Sequence, residues 1–286
     1  MRIVTDSAAD LLPQEVKELS ITIAPLFIQF PDGEVSAEDL TPDQFYDRLR
    51  GMAPDIPTTT MPSPGIFADI YTRVATMGNQ VLSLHISSGL SGTIEAARLG
   101  AAQSGKDVTV LDTMTVSGGE RFQVIAAALA AKAGQSIEAI HQLLDRIRAA
   151  TEVVYTLETM EYLERGGRIG RVQALAGSLL KIKPVIKVDK ADGKYSTVGT
   201  GRTIQRTLSI IVDYLEKTYQ KDTPLWLSVM HGQFIEQAEK LAYLLKERLN
   251  VAKLEILRIS PVLGVHTGPG IVGVTSLPIA SMEGLL

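Results

Sequence analysis

Short β-branched runs alternate with helical patterns through the first half of this chain, and that alternation admits few folds. RIVTDS (2–7), ITIAPLFIQF (21–30), VLSLHIS (81–87), DVTVLDT (107–113) and EVVYTLET (152–159) read as strands. Among them the spacing predicts helices over 41–52, 65–77, 91–104, 118–133 and 137–149. Strands that alternate with helices argue for a parallel sheet covered by helices.

The second half differs. Asp192-Gly193 lies between two strand-like runs in PVIKVDKADGKYSTVG, a hairpin signal. Helices are expected over 203–219 and 235–249, with strands at PLWLSVMHG, KLEILRIS and GIVGVTSL. The expectation is an α/β chain of two domains. Residues 1–150 would form a three-layer α/β/α domain on a parallel sheet. Residues 151–286 would form a two-layer α/β domain on a mixed sheet.

Composition excludes several functions. The 286 residues contain no cysteine, which removes disulfides, thiolate metal sites and a cysteine nucleophile. Net charge is −4 and no dense Lys/Arg cluster occurs, so a nucleic-acid partner is not expected. The opening MRIVTDSAADLL does not read as a secretory signal. No apolar run approaches the roughly 18 residues of a membrane helix, so no stable membrane insertion and a cytoplasmic location are expected.

Five segments can carry chemistry. Thr5-Asp6-Ser7 follows the first strand, at the usual ligand edge of an α/β sheet, though Asp6 or Ser7 could simply cap a turn. Thr58-Thr59-Thr60-Met61-Pro62-Ser63-Pro64-Gly65 is an extended, proline-stiffened stretch. Ser63 suits a helix cap, and the preceding hydroxyls exceed what capping needs. Ser87-Ser88-Gly89-Leu90-Ser91-Gly92-Thr93 leads from a strand into a helix. Its small residues and free N–H groups favour an anion, and without Gly-Lys-Thr/Ser it is no nucleoside-triphosphate loop. A hydroxyl-lined site without nearby Lys or Arg suits a carboxylate better than a polyphosphate, while a plain Gly/Ser turn remains open. Glu164-Arg165-Gly166-Gly167-Arg168-Ile169-Gly170-Arg171 sets three arginines on a glycine-rich turn, either as anion or partner contacts or as surface charge. Gly264-Val265-His266-Thr267-Gly268-Pro269-Gly270 holds a histidine between turns that could bond a carboxylate or merely backbone. His85, His141 and His231 are scattered, and no metal-ligand spacing joins them.

In order, MRIVTDSAADL, TTTMPSPG, LSLHISSGLSGTIEAA, EYLERGGRIGRVQALAGSLLKIKPVI and ISPVLGVHTGPGIVGV resemble the DegV family nearly end to end. Its better-understood members are fatty-acid-binding subunits of bacterial fatty acid kinases. The resemblance implies two α/β domains with a long-chain fatty acid of the palmitate, stearate or oleate class at their interface. Its carboxylate would be held by Thr59, Ser87, Ser88 and His266, with Thr60, Ser91, Gly92 and Thr267 as further pocket residues. It also implies no catalytic residue, metal or cofactor of the chain's own. A separate ATP-binding subunit would phosphorylate the carboxylate to an acyl phosphate, met through Arg168 and Arg202, and the carrier is expected to be a monomer. An alternative is an enzyme acting on a small carboxylate or keto substrate, with His266 as base or nucleophile and Asp6 or Asp112 in support.

Two departures bear on the pocket. Met61 stands where many relatives have an amide, and Gly118-Gly119-Glu120-Arg121 replaces small and apolar residues. A change of chain preference is expected if that helix lines the tunnel.

Overall fold

The computed structural model describes residues 1–52, 54–76, 79–172 and 182–285. The first half runs β1 (Arg2–Asp6), α1 (Pro13–Glu18), β2 (Thr22–Ala24), β3 (Phe27–Phe30), β4 (Gly33–Ser36), α2 (Pro42–Gly51), β5 (Thr58–Thr60), α3 (Pro64–Val74), β6 (Val81–His85), α4 (Thr93–Ser104), β7 (Val108–Asp112), α5 (Gly118–Lys132) and α6 (Ile137–Ala150). The second runs β8 (Glu152–Leu157), α7 (Glu161–Arg165), β9 (Lys183–Val188), β10 (Tyr195–Gly201), α8 (Ile204–Thr218), β11 (Leu225–His231), α9 (Ile235–Arg248), β12 (Val251–Arg258), α10 (Pro261–Thr267) and β13 (Ile271–Pro278).

Two main sheets result. In the first, order β2-β1-β6-β7, all pairs are parallel. Phe67 and Tyr71 of α3 and Ala97 of α4 cover one face at Val4 and Val81. Phe122 of α5 and Ile140 and Leu144 of α6 cover the other at Ile3, Leu82 and Leu84. That is the expected three-layer domain. The second sheet, order β10-β9-β8-β13-β11-β12, is mixed: β11 and β12 are parallel and the remaining pairs antiparallel. Leu208 and Ile211 of α8 and Leu241 and Leu245 of α9 cover its outer face. This is the two-layer domain.

Of its own half, the inner face of the second sheet is covered by the short helices α7 and α10, through Leu163, Val262 and Val265. Val153, Tyr155, Leu157, Ile186, Met230 and Ile271 pack there in one cluster with Ala8, Phe45, Ile86, Val116 and Val262. The N-terminal half thus supplies much of the cover, consistent with the rule that an apolar sheet face must be buried against another element.

Some expectations need correction. ITIAPLFIQF is two strands rather than one: β2 joins the parallel sheet, while β3 joins a small antiparallel sheet of order β4-β3-β5. The break falls at Pro25, which has no N–H for a ladder, and Leu26 N–H goes instead to Ser7 Oγ at 3.0 Å. The threonine stretch, read as an extended loop, is strand β5 paired to β3. His266, read as a turn residue, lies in the last turn of α10. Met77 and residues 173–181 of the long arginine-containing segment lie outside the described residues.

Two buried polar ties join the halves. Arg121, fully buried, bonds both carboxylate oxygens of Glu15 at 2.5 and 2.9 Å and reaches Glu255 at 2.5 Å and Ser228 Oγ at 3.1 Å. Asp10 accepts the Ser260 N–H at 2.7 Å, at the start of α10, and the Ser117 hydroxyl at 2.5 Å. Glu120 is also fully buried and accepts from Thr5 Oγ1 at 3.2 Å; burial pushes its carboxyl well above the carboxylate range. Neither Glu120 nor Arg121 lines a cavity described below. The departure at those positions therefore builds a clamp instead of reshaping the pocket. Truncating Arg121 leaves two largely buried carboxylates uncompensated, so Arg121→Ala is expected to destabilise the fold by about 3–5 kcal/mol in denaturant melts. A loss below about 1 kcal/mol would mean that the clamp contributes little.

Candidate functional site

β5 pairs with β3 in a register that sets Thr59 opposite Ile28. Thr59 is half-buried between exposed neighbours Thr58 and Thr60, as strand alternation requires. α10 begins at Pro261 and brings His266 to the same place from the far end of the sequence. Thr59 Oγ1 and His266 Nε2 are 2.8 Å apart. The other ring nitrogen, Nδ1, is buried without a hydrogen-bond partner among the described residues. It faces Gly166 so closely that a Cβ there would lie 2.3 Å from it.

These contacts favour one tautomer. A buried N–H without an acceptor is costly, and a lone pair without a donor is less so. The proton therefore belongs on Nε2, which donates to Thr59 Oγ1. The threonine hydroxyl is then left with its own hydrogen to donate elsewhere.

Thr59 and His266 open onto a cavity of about 1050 Å³, mouth included. Thr60, Met61, Ser91, Gly92, Arg168 and Thr267 line it as well, with Ala8, Leu26, Ile86, Leu90, Val262 and Leu263 as apolar wall. A second, much narrower pocket adjoins it, and Tyr195, Leu263 and Thr267 line both. Its other walls are largely apolar and include Val116, Val153, Met230, Ile259 and Ile271. A chamber with hydroxyl, imidazole and guanidinium groups set in a largely apolar wall thus leads into a second, apolar pocket along the inner face of the second sheet.

The sequence profile described as "Uncharacterised protein, DegV family" matches residues 1–278. The chain belongs to the DegV family. A DegV domain-containing protein of Deinococcus radiodurans is 36% identical over 276 residues, covering 96% of this chain and 95% of the relative. A solved DegV-family protein from Thermus thermophilus, described as fatty acid binding, superposes with a TM-score of 0.89 at 32% identity, covering 97% of this chain and 100% of that one. A stearic acid-binding protein from Eubacterium ventriosum superposes with a TM-score of 0.88 at 26% identity, covering 97% and 98%.

Within this DegV-family site the expected residues are distributed unevenly. Thr59, Thr60, Ser91, Gly92, His266 and Thr267 share one cavity. Ser87 and Ser88 are not in its lining. The Ser87 side chain is fully buried and donates to Gly193 O at 2.9 Å, bracing the β9–β10 hairpin. Ser88 is exposed, and its N–H goes to Asp112 Oδ2 at 3.2 Å. Arg168 lines the chamber, with one guanidinium N–H donated to Gly166 O at 2.7 Å. Arg202 lies in a separate cleft with Thr200, Thr203 and Arg206. Asp6 is taken by His85 at 2.9 Å and by the Ala8 and Ile86 amides, so it does not support His266. Asp112 accepts the Ser88 and Met114 amides. Sequence reasoning missed Tyr155, Tyr195 and Leu263, which sit in ordinary strand and helix patterns. Among the described residues no cluster of His, Asp and Glu is arranged to hold a metal ion, and no helix is long and apolar enough to cross a membrane.

Burial, reinforced by the charge of Arg168, lowers the His266 pKa to about 4, so the ring is neutral at pH 7. In the unfolded chain the ring takes its ordinary value of about 6.5, so between pH 4 and 6.5 the unfolded state binds more protons. This group's contribution to stability therefore rises as pH rises through that window. Asp10, raised by burial from 3.8 to about 6, acts in the opposite sense, because there the folded state binds more protons. Histidine NMR resonances should show His266 titrating near pH 4, and His266→Gln should remove part of the stability gained between pH 4 and 6.5. A His266 midpoint near 6.5 would contradict this assignment.

Proposed function

We propose that this protein is a carrier that binds one long-chain fatty acid of the palmitate, stearate or oleate class at the interface of its two domains. The observation that carries this reading is the Thr59–His266 pair at the wall of a chamber that continues into an apolar pocket. The neutral imidazole orients the Thr59 hydroxyl, and that hydroxyl donates to the carboxylate. Ser91 and Arg168 line the same chamber, which opens beside the N-terminal end of α4 at Gly92. Cation, hydroxyls and helix end all favour an anion. From the serine loop, Ser91 takes the part that the family resemblance implied for Ser87 and Ser88. The tail passes Tyr195 and Leu263 into the apolar pocket. The domain boundary in this reading falls between residues 150 and 151, where α6 ends and β8 follows.

The energetics favour tight binding. Burying roughly 14 methylenes at about 0.8 kcal/mol each gives a gross drive of about 11 kcal/mol, from which association costs of several kcal/mol are subtracted. The fatty-acid-binding relatives from Thermus thermophilus and Eubacterium ventriosum, similar over nearly the whole chain, support the same ligand class. The enzyme alternative has less support, because His266 meets a threonine instead of a carboxylate and the adjoining pocket is apolar.

In the fuller form of this reading the protein is a cytoplasmic monomer without cofactor or catalytic residue of its own. It presents the bound carboxylate to a separate ATP-binding kinase subunit, which converts it to an acyl phosphate. Arg202 is exposed in a cleft of its own, as a partner contact would be, and Arg168 stands at the head-group chamber.

Delipidated protein should gain thermal stability with palmitate, stearate or oleate, and Thr59→Val should weaken that binding about tenfold to a hundredfold. No stabilisation by any of the three acids would sink the carrier reading. Arg202→Ala should retain lipid affinity while losing most acyl phosphate formation when kinase subunit and ATP are supplied. Normal turnover by that variant would remove Arg202 from the partner surface.

A further inference from the structure

Met61 directly follows β5 and lines the chamber that Thr59 and His266 open onto. It is also 50% exposed, so it stands at the chamber mouth. Its side chain lies across the start of α4. A Cβ at Gly92 would fall 3.2 Å from Met61 Sδ and 3.3 Å from its Cε, so the thioether rests on the glycine that caps this helix. The other methionines among the described residues are better covered. Met230 and Met282 are buried, and Met1, Met52, Met114 and Met160 are partly buried. The most open methionine is thus the one beside the head-group site.

A thioether reachable from solvent is oxidised by peroxides, and the resulting sulfoxide is polar. Given the fatty-acid reading above, on which this rests, we propose that Met61 is an oxidation site that controls lipid binding: hydrogen peroxide converts its thioether to a sulfoxide, and the sulfoxide expels the carboxylate from the chamber. The peroxide O–O bond breaks and one oxygen forms the S–O bond. The sulfur loses two electrons, the peroxide gains them, and the second oxygen leaves as water.

The new oxygen is a strong acceptor placed among donors. These are the Ser91 hydroxyl, whose oxygen lies 2.8 Å from Thr93 Oγ1, and the N–H end of α4. The sulfoxide oxygen takes donors that a carboxylate would use, and its partial negative charge repels the carboxylate. An amide in this place would bring an N–H of its own, whereas a sulfoxide only accepts. A bound fatty acid in turn covers the chamber side of Met61. The filled carrier therefore resists oxidation, and the empty carrier is sensitive. Enzymatic reduction of the sulfoxide restores the thioether and with it the site.

The test exposes delipidated and stearate-loaded wild-type protein to dilute hydrogen peroxide, with Met61→Leu in parallel. Peptide mass spectrometry follows each methionine, and stearate dissociation constants are measured before and after treatment. Met61 should gain one oxygen before any other methionine, several-fold more slowly when stearate is bound. The treated wild type should bind stearate about tenfold more weakly. Met61→Leu, whatever its starting affinity, should show the same dissociation constant before and after peroxide. The proposal is overturned if another methionine oxidises first, if stearate does not slow the reaction at Met61, if protein carrying the Met61 sulfoxide binds stearate as tightly as untreated protein, or if Met61→Leu loses affinity to the same extent as wild type. Failure of stearate to bind untreated wild type would instead refute the fatty-acid reading, and the oxidation proposal with it.

Discussion

The apolar inner face of the second sheet is the constraint on which the rest of this structure depends. β8, β9, β11 and β13 present Val153, Tyr155, Ile186, Met230 and Ile271 toward a side that their own half covers with the short helices α7 and α10. The loop after β1, the strand pair around Ile28, helix α2 and the loop before α5 close over that face and share one core with it. Closure is incomplete beside Tyr195 and Leu263, and the cavities lie there. The proposed ligand site is thus a consequence of how two sheets of different construction meet.

Polar ties hold that meeting in register. Apolar packing is non-directional, whereas the Arg121 fork on Glu15 and its bond to Glu255 fix one relative placement of the two halves. Asp10 does the same at the start of α10, the helix that carries His266. Misplacing α10 would disturb the 2.8 Å contact with Thr59, which comes from the other half of the chain. Asp10, Ser117 and Met114 have positive φ of 50°, 58° and 55°, a conformation disfavoured for residues with a side chain. All three lie where the N-terminal sheet's loops turn toward the second domain, so local strain accompanies the junction.

Much of this was legible in the chain. The parallel sheet, the change to a mixed sheet and the hairpin at Asp192-Gly193 followed from period and turn chemistry, because those signals are local. The threonine stretch, Ser91, Gly92 and His266 were marked by glycine and proline turns, and the fold brings them to one chamber. Ser87 and Ser88 were indistinguishable from Ser91 by sequence, since all three are small hydroxyls in one loop. Only the approach of the hairpin, which takes the Ser87 hydroxyl, separates them. Pro25 hid a change of sheet inside an unbroken apolar run. Arg121 looked like a perturbation of the tunnel, because its partners lie 106 and 134 positions away.

The central claim is that Thr59, oriented by neutral His266, holds a carboxylate whose tail runs inward along the second sheet. A crystal structure of the protein with stearate tests it most directly. The account predicts one carboxylate oxygen within about 3 Å of Thr59 Oγ1 and continuous density passing Tyr195 toward Tyr155. A carboxylate bound instead at Ser88, or a chain lying outside the two joined cavities, would contradict it.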